Sequence, residues 1–501
     1  MKTFYQKITL IVTLFLFFLT VSCQKTDSTV EDEPTPDPIV QSCNESPNPN
    51  PRSWVVATNG NDNNAGTIAN PFKNIQKAVD KALPGDTILL RGGTHESREI
   101  KVRTSKLTFR SYPNEWAIVK AVTNVEDITS CFWYREPCIN GGLIENLEIV
   151  GGYFYGIKLE DNWDWNEPVL QAVSNLTIRN CKIHDTGRDC IKIVPGCANI
   201  QILNCEIYRS GVGPANVRAQ NAEGIDNVNG PKMVVRNCYF HDISTNGLYA
   251  KGGAKDCIIE NNLFMNCGEM GICAGNTDTD EEWFDKSNTE YIESFDIIIR
   301  NNIIVNAKWG GVGLFAAVRS QVVNNTFINV ASETYGALYI SRGETYVGNN
   351  GKLVTPPCKD LKIMNNIFVQ STSGDRSMIR IRYNDDDKAE SLIGTNIIDY
   401  NCYFRAGNAA VYENRQTDNL TFAQWKSATK FDAHSFEANP LLNAQYHLSA
   451  GSLCIKKGLL QSIISVDYDG NNRSGNPDIG ADEVGGTPLA TPPPSGVIGT
   501  K

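Results

Sequence analysis

Apolar residues recur along this chain in runs too short for helices. Two or three Ile, Val, Leu or Phe positions alternate with polar ones, an Asn interrupts, and a second short alternation follows. Aligned, the units read IRNCKIHDTG (178–187), ILNCEIYRSG (202–211), VRNCYFHDIS (235–244), IENNLFMNCG (259–268), IRNNIIVNAK (299–308), VVNNTFINVA (322–331) and IMNNIFVQST (363–372). A weaker copy is IENLEIVGGY (144–153). They recur at intervals of roughly 23 to 41 residues, and the variation lies between the motifs. Period-two runs of this length predict strands. The recurring Asn predicts a turn, because its side chain bonds neighbouring backbone. Repeated coil after coil, it predicts a ladder of side-chain amides and an all-β solenoid, a parallel β-helix.

A second strand follows several motifs. Aligned on its apolar residue, the set is YGIKLEDN (155–162), DCIKIVPG (189–196), EGIDNVNG (223–230), NGLYAKGG (246–253) and MGICAGNT (270–277). Side chains alternate across a strand. With Ile157, Ile191, Ile225, Leu248 and Ile272 inward, the next residues face out: Lys158, Lys192, Asp226, Tyr249 and Cys273. Two positions further on, Glu160, Val194, Val228, Lys251 and Gly275 form another column. Neighbouring strands lie about 4.8 Å apart, so residues distant in sequence form one compact patch.

The stretch 54–95 reads as a strand, a Gly/Asn-rich loop, an amphipathic helix near 72–83 and another strand. It resembles the opening segment of many secreted right-handed parallel β-helix proteins, with the short helix as an N-terminal cap. NPLLNAQYHLSAGSLC (439–454) and DYDGNNRSGNPDIGADE (467–483) resemble their closing segment. The resulting division is a leader at 1–22, a tether at 23–52, one β-helix catalytic domain with end caps at 53–485, and a disordered tail at 486–501.

Composition changes this picture in three places. A formal net charge of −10 over 501 residues argues against nucleic acid as a partner and gives an anionic substrate no global attraction. The leader has a basic start, MKTFYQK, and an apolar run, ITLIVTLFLFFLTV, ending in LTVSC. It resembles a bacterial lipoprotein signal, which implies lipidation of Cys23. The acidic QKTDSTVEDE after it resembles the export tag of surface lipoproteins in Bacteroidetes. The resemblance implies an outer-membrane, cell-surface protein on a lipid anchor and a Pro-rich tether. An ordinary cleaved signal peptide is the other reading. Finally, 15 cysteines in an exported chain suggest disulfides. However, Cys181, Cys205 and Cys238 share one repeat position, which predicts stacked small side chains in a core. Cys131–Cys138 remains open as a local bridge.

The candidate chemistry lies on the outward strands. Asp189, Glu223 and Asp226 fall on neighbouring coils. Clustered carboxylate oxygens suit Ca²⁺; a solvated acidic face is the alternative. Asp189 and Glu223 precede the inward Ile by two residues, so their direction depends on how the strand begins. These residues resemble a known site. AEGID (222–226) resembles the acidic calcium motif of family 9 polysaccharide lyases, the pectate-lyase type. RDC (188–190) stands where that family has another calcium aspartate, and NGLYAKGG resembles its strand with the catalytic lysine. The resemblance implies Asp189, Glu223 and Asp226 as calcium ligands and Lys251 as the base. Glu223 replaces an aspartate, Ala222 stands in place of a further acidic ligand, and Lys251 lies two residues later than the family lysine on the same side.

The implied function is cleavage of a uronate-containing, pectate-like polysaccharide by Ca²⁺-assisted β-elimination. A base takes the C5 proton beside the carboxylate and the C4 oxygen departs. A cation lowers the cost of the enolate-like charge, and a lysine near Ca²⁺ and Arg is expected to have a lowered pKa. A surface lysine that snorkels into solvent is the plainer reading of Lys251. Arg218 is a candidate at the leaving oxygen or on a substrate carboxylate. Lys192, Tyr249 and Arg209 are candidates for substrate binding. His184 and His241, each in an HD pair, read as stacked structural residues. Trp163, Trp165 and Trp283 lie in loops placed to wall a cleft. A glycosaminoglycan lyase on the same scaffold is the second substrate reading. A β-helix glycoside hydrolase and a non-catalytic glycan-binding protein are the other classes. A solenoid has no obligatory symmetric interface, so a monomer is expected.

Overall fold

The structure, a computed structural model, describes residues 46–160, 172–216, 221–348, 350–370, 376–382 and 390–485. The predicted leader, most of the tether and the tail lie outside these residues. The described chain winds through three 12-stranded sheets, parallel except for a final antiparallel pair. A typical coil places Val234–Arg236 in the first sheet, Tyr239–His241 in the second and Leu248–Lys251 in the third, and re-enters the first at Ile258–Glu260. From Ala254–Lys255 onward, five short strands add a fourth wall. This is the predicted all-β parallel β-helix.

The Asn pairs explain the corner between the first and second sheets. The leading Asn is in the left-handed region, as at Asn180 (φ 52°), Asn261 (56°), Asn301 (52°) and Asn324 (54°). Asn is among the few non-glycine residues that adopt it readily. The following side chain turns inward. Asn262, Asn302, Asn325, Asn366 and Asn401 form the predicted ladder, each amide nitrogen donating to the next Oδ1 at 3.0–3.1 Å. Cys238, Cys205 and Cys181 occupy the same column in earlier coils, buried and free. There the Cys238 N–H donates to Asn262 Oδ1 at 2.9 Å. The thiols stay free there, and behave as small buried side chains. Cys131 is also a free core thiol, whose Sγ donates to Val119 O. Cys138 is disulfide-bonded. The local Cys131–Cys138 bridge is therefore not formed: Cys131 points into the core from its strand, whereas Cys138 sits in a left-handed turn (φ 65°).

The N-terminal helix is shorter than its pattern predicts, Ile75–Val79, and buries Ile75, Ala78 and Val79 against the opening coils. At the other end a helix the sequence reading missed, Phe422–Thr429, packs Trp425 on Tyr412. A Thr421–Gln424 capping box starts it. The closing segment does not seal the far end. Residues 459–483 turn back along the flank, where the left-handed Asn side chains hold them. Asn365 donates to Leu459 O, Asn301 to Val466 O, Asn261 to Asp467 O and Asn324 to Asp478 O, at 2.8–3.1 Å.

Candidate active site

The third sheet has the expected register. Ile157, Ile191, Ile225, Leu248 and Ile272 are successive partners and are fully buried. Outward beside them run Lys158, Lys192, Asp226, Tyr249 and Cys273. Lys251 is in register with Val228. Gly252 and Gly253 follow at φ 66° and 97°, turning the chain immediately after the lysine.

Asp189, Glu223 and Asp226 each offer a carboxylate oxygen within 4.8 Å of the others. The cluster is not a solvated face: the three residues are 0%, 3% and 0% exposed. Each carboxylate has one oxygen tied to the protein. Asp189 Oδ1 accepts the Glu223 N–H (3.1 Å), Glu223 Oε1 accepts the Thr245 hydroxyl (2.9 Å), and Asp226 Oδ2 accepts from Lys192 Nζ. Each also has one buried oxygen with no hydrogen bond among the described residues: Asp189 Oδ2, Glu223 Oε2 and Asp226 Oδ1. Gly224 allows this convergence, because a Cβ there would sit 2.5 Å from the Gly247 carbonyl of the next coil.

Burial, followed by the neighbouring charges, pushes the Asp189 and Glu223 carboxyls up. Burial acts the same way on Asp226, but Lys192 and Lys251 outweigh it and hold that carboxyl below its ordinary value. Lys251 Nζ lies 3.4 Å from Asp226 Oδ1 and 4.3 Å from the centre of the Tyr249 ring. Burial opposes the Lys251 charge, yet Asp226 raises its pKa above the ordinary lysine value. Among the protein's own charges the expected depression is thus reversed, because the nearest one is the Asp226 carboxylate. An orphaned oxygen on each of three converging, mutually repelling carboxylates fits a hard divalent cation. Ala222, at the position of a further acidic ligand, is buried; its N–H donates to Thr245 Oγ1 and its carbonyl accepts the Ser210 hydroxyl.

Glu223 and Asp226 of the cluster line a cleft of about 910 Å³. Lys192, Tyr249 and Lys251 line it, as expected from sequence, and Trp283 stands in its wall. Arg188, Glu269 and Trp309 also line it and were missed. Arg188 had a signal, its place beside Asp189. Trp309 had none, since it arrives from a coil outside the aligned strand set, and Glu269 lies one residue before its aligned strand begins. Asn246 links two cleft groups: its Nδ2 donates to Tyr249 Oη (3.1 Å) and to Glu269 Oε2 (2.6 Å), while its Oδ1 accepts the Met270 N–H.

Arg209 is not in this cleft. It occupies the left-handed corner between the second and third sheets (φ 48°), where its guanidinium holds the Asp185 carboxylate and covers Tyr208. Its strand corner points away from the site. Arg218, Trp163 and Trp165 lie outside the described residues. His184 and His241 stack on either side of Tyr208, with ring centres 4.3 and 4.6 Å apart, as structural residues would.

Fold and site together define a parallel β-helix protein with a cleft of clustered carboxylates and lysines. The family model described as "Pel9A-like, right handed beta helix region" matches residues 54–281, a span that holds the whole cluster. The chain is 24% identical over 451 residues to the uncharacterized protein YwoF of Bacillus subtilis (strain 168), covering 79% of this chain and 90% of that one. Among solved structures, pectate lyase Pel9A superposes with a TM-score of 0.50 at 17% identity, over 88% of this chain and 98% of that one. XylC, solved with xylose, gives 0.54 at 12% identity, over 87% and 99%. At these identities the structural likeness establishes the fold.

Proposed function

We propose that this cleft cleaves a uronate-containing polysaccharide by β-elimination, with Lys251 as the base. The supporting observation is the set of three orphaned carboxylate oxygens converging beside two lysines. Asp189, Glu223 and Asp226 would hold Ca²⁺, whose charge neutralises the uronate carboxylate and competes with Lys251 for Asp226. With Asp226 engaged by the cation, Lys251 would give up its own proton to solvent; its neutral Nζ then takes the C5 proton, and the C–H electrons form the C4–C5 double bond. The C4–O bond breaks and the departing oxygen takes a proton from solvent. Lys192 and Tyr249 line the cleft beside this group and would position the sugar, and Arg188 is placed to bind a carboxylate bidentately. The Pel9A-like match favours a pectate-like substrate. A lipid anchor at Cys23 would hold the monomeric enzyme at the cell surface, where such polymers are met.

An inverting hydrolase fits less well. The three oxygens lie within 4.8 Å of one another, closer than the roughly 6.5–9.5 Å an inverting pair needs, although near the roughly 5–5.5 Å of a retaining pair. The test is incubation with a panel of uronate polysaccharides, glycosaminoglycans included, with and without chelator. A lyase gives chelator-sensitive ultraviolet absorbance from unsaturated ends. Reducing ends without that absorbance would show a hydrolase, and retention without products a binding protein.

A further inference from the structure

The outward column of the third sheet does not stop at the acidic cluster. Toward the N-terminus it continues from Asp226 through Lys192, Lys158 and Trp133 to Lys101, each in register with the next. We propose that this face is a binding track for the uronate residues flanking the cleavage point, with Lys101, Trp133, Arg135 and Lys158 as its recognition groups. The identity of the ligand rests on the lyase reading above; the track itself is tested by binding.

Three cations surround one indole. Arg135 lies 4.7 Å, Lys158 5.3 Å and Lys101 5.5 Å from the Trp133 ring centre. The indole is fixed in place, because its Nε1 donates to Glu160 at 2.7 Å. Carboxylates neutralise part of this charge: Lys158 pairs with Glu160 (2.8 Å) and Lys101 with Glu99 (3.4 Å). The two guanidinium groups differ. Arg135 rests on Trp133, and Arg188 lies 5.6 Å from the Phe154 ring centre and donates to Asn221 O. Neither is ion-paired with a described carboxylate. Lys158 and Lys192 also face each other directly across adjacent strands. Like charges so placed repel, and each lysine is held by its own carboxylate, Glu160 and Asp226. An anionic ligand offsets that repulsion.

The geometry suits a repeating anion. From Asp226 to Lys101 there are four strand spacings, about 19 Å. One coil per sugar presents a cation or a ring to each successive residue. Trp133 supplies the flat apolar face on which a pyranose stacks, and guanidinium groups bind carboxylates bidentately. Beyond the cluster the same column runs through Tyr249 to Cys273, which is buried among Met270, Phe315 and Tyr339. A cation returns only at Arg380, past Gly313 and Tyr339. The run of cations adjoining the cluster therefore lies on one side, which gives the glycan an unequal number of contacts on its two sides.

The test uses the full-length Lys251→Ala protein with Ca²⁺, so that binding is read without turnover. Calorimetry with uronate oligomers of increasing length is compared with Lys251→Ala carrying Lys101→Ala and Arg135→Ala. Affinity is expected to climb with length in the first protein. The added substitutions should cost at least about tenfold on long oligomers, leave the shortest unchanged, and flatten the salt dependence. Unchanged thermal unfolding confirms the fold, since Arg135 is exposed and Lys101 half-exposed. Equal affinity of the two proteins for long oligomers overturns the track, as does an absence of uronate binding at any length. If the track behaves as expected while the enzyme with Lys251 intact yields no unsaturated product, the lyase reading fails and the track stands.

Discussion

Lys251 Nζ stands 3.4 Å from Asp226 Oδ1, one coil further along the solenoid. That same oxygen is one of the three left without a hydrogen bond in the acidic cluster. A single carboxylate thus both keeps the lysine charged and offers itself to a cation.

Replacing Lys251 by Ala is expected to lower turnover by at least the roughly 10²–10⁴-fold that a general base contributes. Lys251→Arg is expected to be equally inactive, because a guanidinium does not release its proton. Lys192→Ala should act mainly through KM. Steady-state absorbance assays separate the two residues; a Lys251→Ala enzyme with near-normal kcat would move the base role to another group.

Ca²⁺ is expected to raise the thermal midpoint of the protein. A ligand at 100 times its Kd stabilises by about 2.7 kcal/mol. Glu223→Gln and Asp226→Asn should abolish the shift. Asp226→Asn should also lower the ion-free midpoint, because it strands Lys192 and Lys251 without their shared carboxylate, and breaking a buried pair costs about 3–5 kcal/mol. An unchanged Ca²⁺ shift in both variants would place the ion elsewhere.

Glu293 gives a pH prediction away from the metal cluster. It is fully buried and accepts the Gly252 N–H and the Thr279 hydroxyl, both at 2.9 Å, just behind the turn that follows Lys251. Burial pushes its carboxyl from 4.5 up to about 7, against those hydrogen bonds. The folded state therefore holds a proton that the unfolded chain has lost between these values. This contribution is complete below the unfolded value and disappears as pH rises through about 7. Its slope is up to about 1.4 kcal/mol per pH unit. Denaturant unfolding of Glu293→Gln across this window should show a shallower loss of stability than the parent; identical slopes would count against the buried proton.

The amide ladder predicts a large cost for a small substitution. Asn325 Oδ1 accepts from Asn302, and its Nδ2 donates to Ile299 O and Asn366 Oδ1. Asn325→Ala leaves several buried partners unmatched, at about 1–3 kcal/mol each. Thermal unfolding should fall by several degrees, whereas an unaffected midpoint would mean that water replaces the amide.

Arg188, Thr245 and Glu293 show where reading the residues stops. Thr245 anchors Glu223, and Glu293 secures the turn after Lys251, yet neither belongs to a motif. Each meets its partner only through coil-to-coil stacking, and the lengths of the intervening loops carry no simple code. Arg209 was misplaced for a related reason. A side chain two residues past an inward position was free to follow either the cleft or the corner, and Asp185 on the preceding coil decided it.

The sequence by itself determined the solenoid, the inward Ile column, the amide ladder and the outward register of Lys192, Asp226, Tyr249 and Lys251, because a period-two pattern repeated in phase leaves one way to stack. Tertiary structure alone decided that the carboxylates are buried rather than solvated, that each keeps one oxygen without a hydrogen bond among the described residues, and that Lys251 Nζ pairs with Asp226. Those properties depend on which atoms of neighbouring coils come within about 3 Å, and alternation along a strand does not encode that distance.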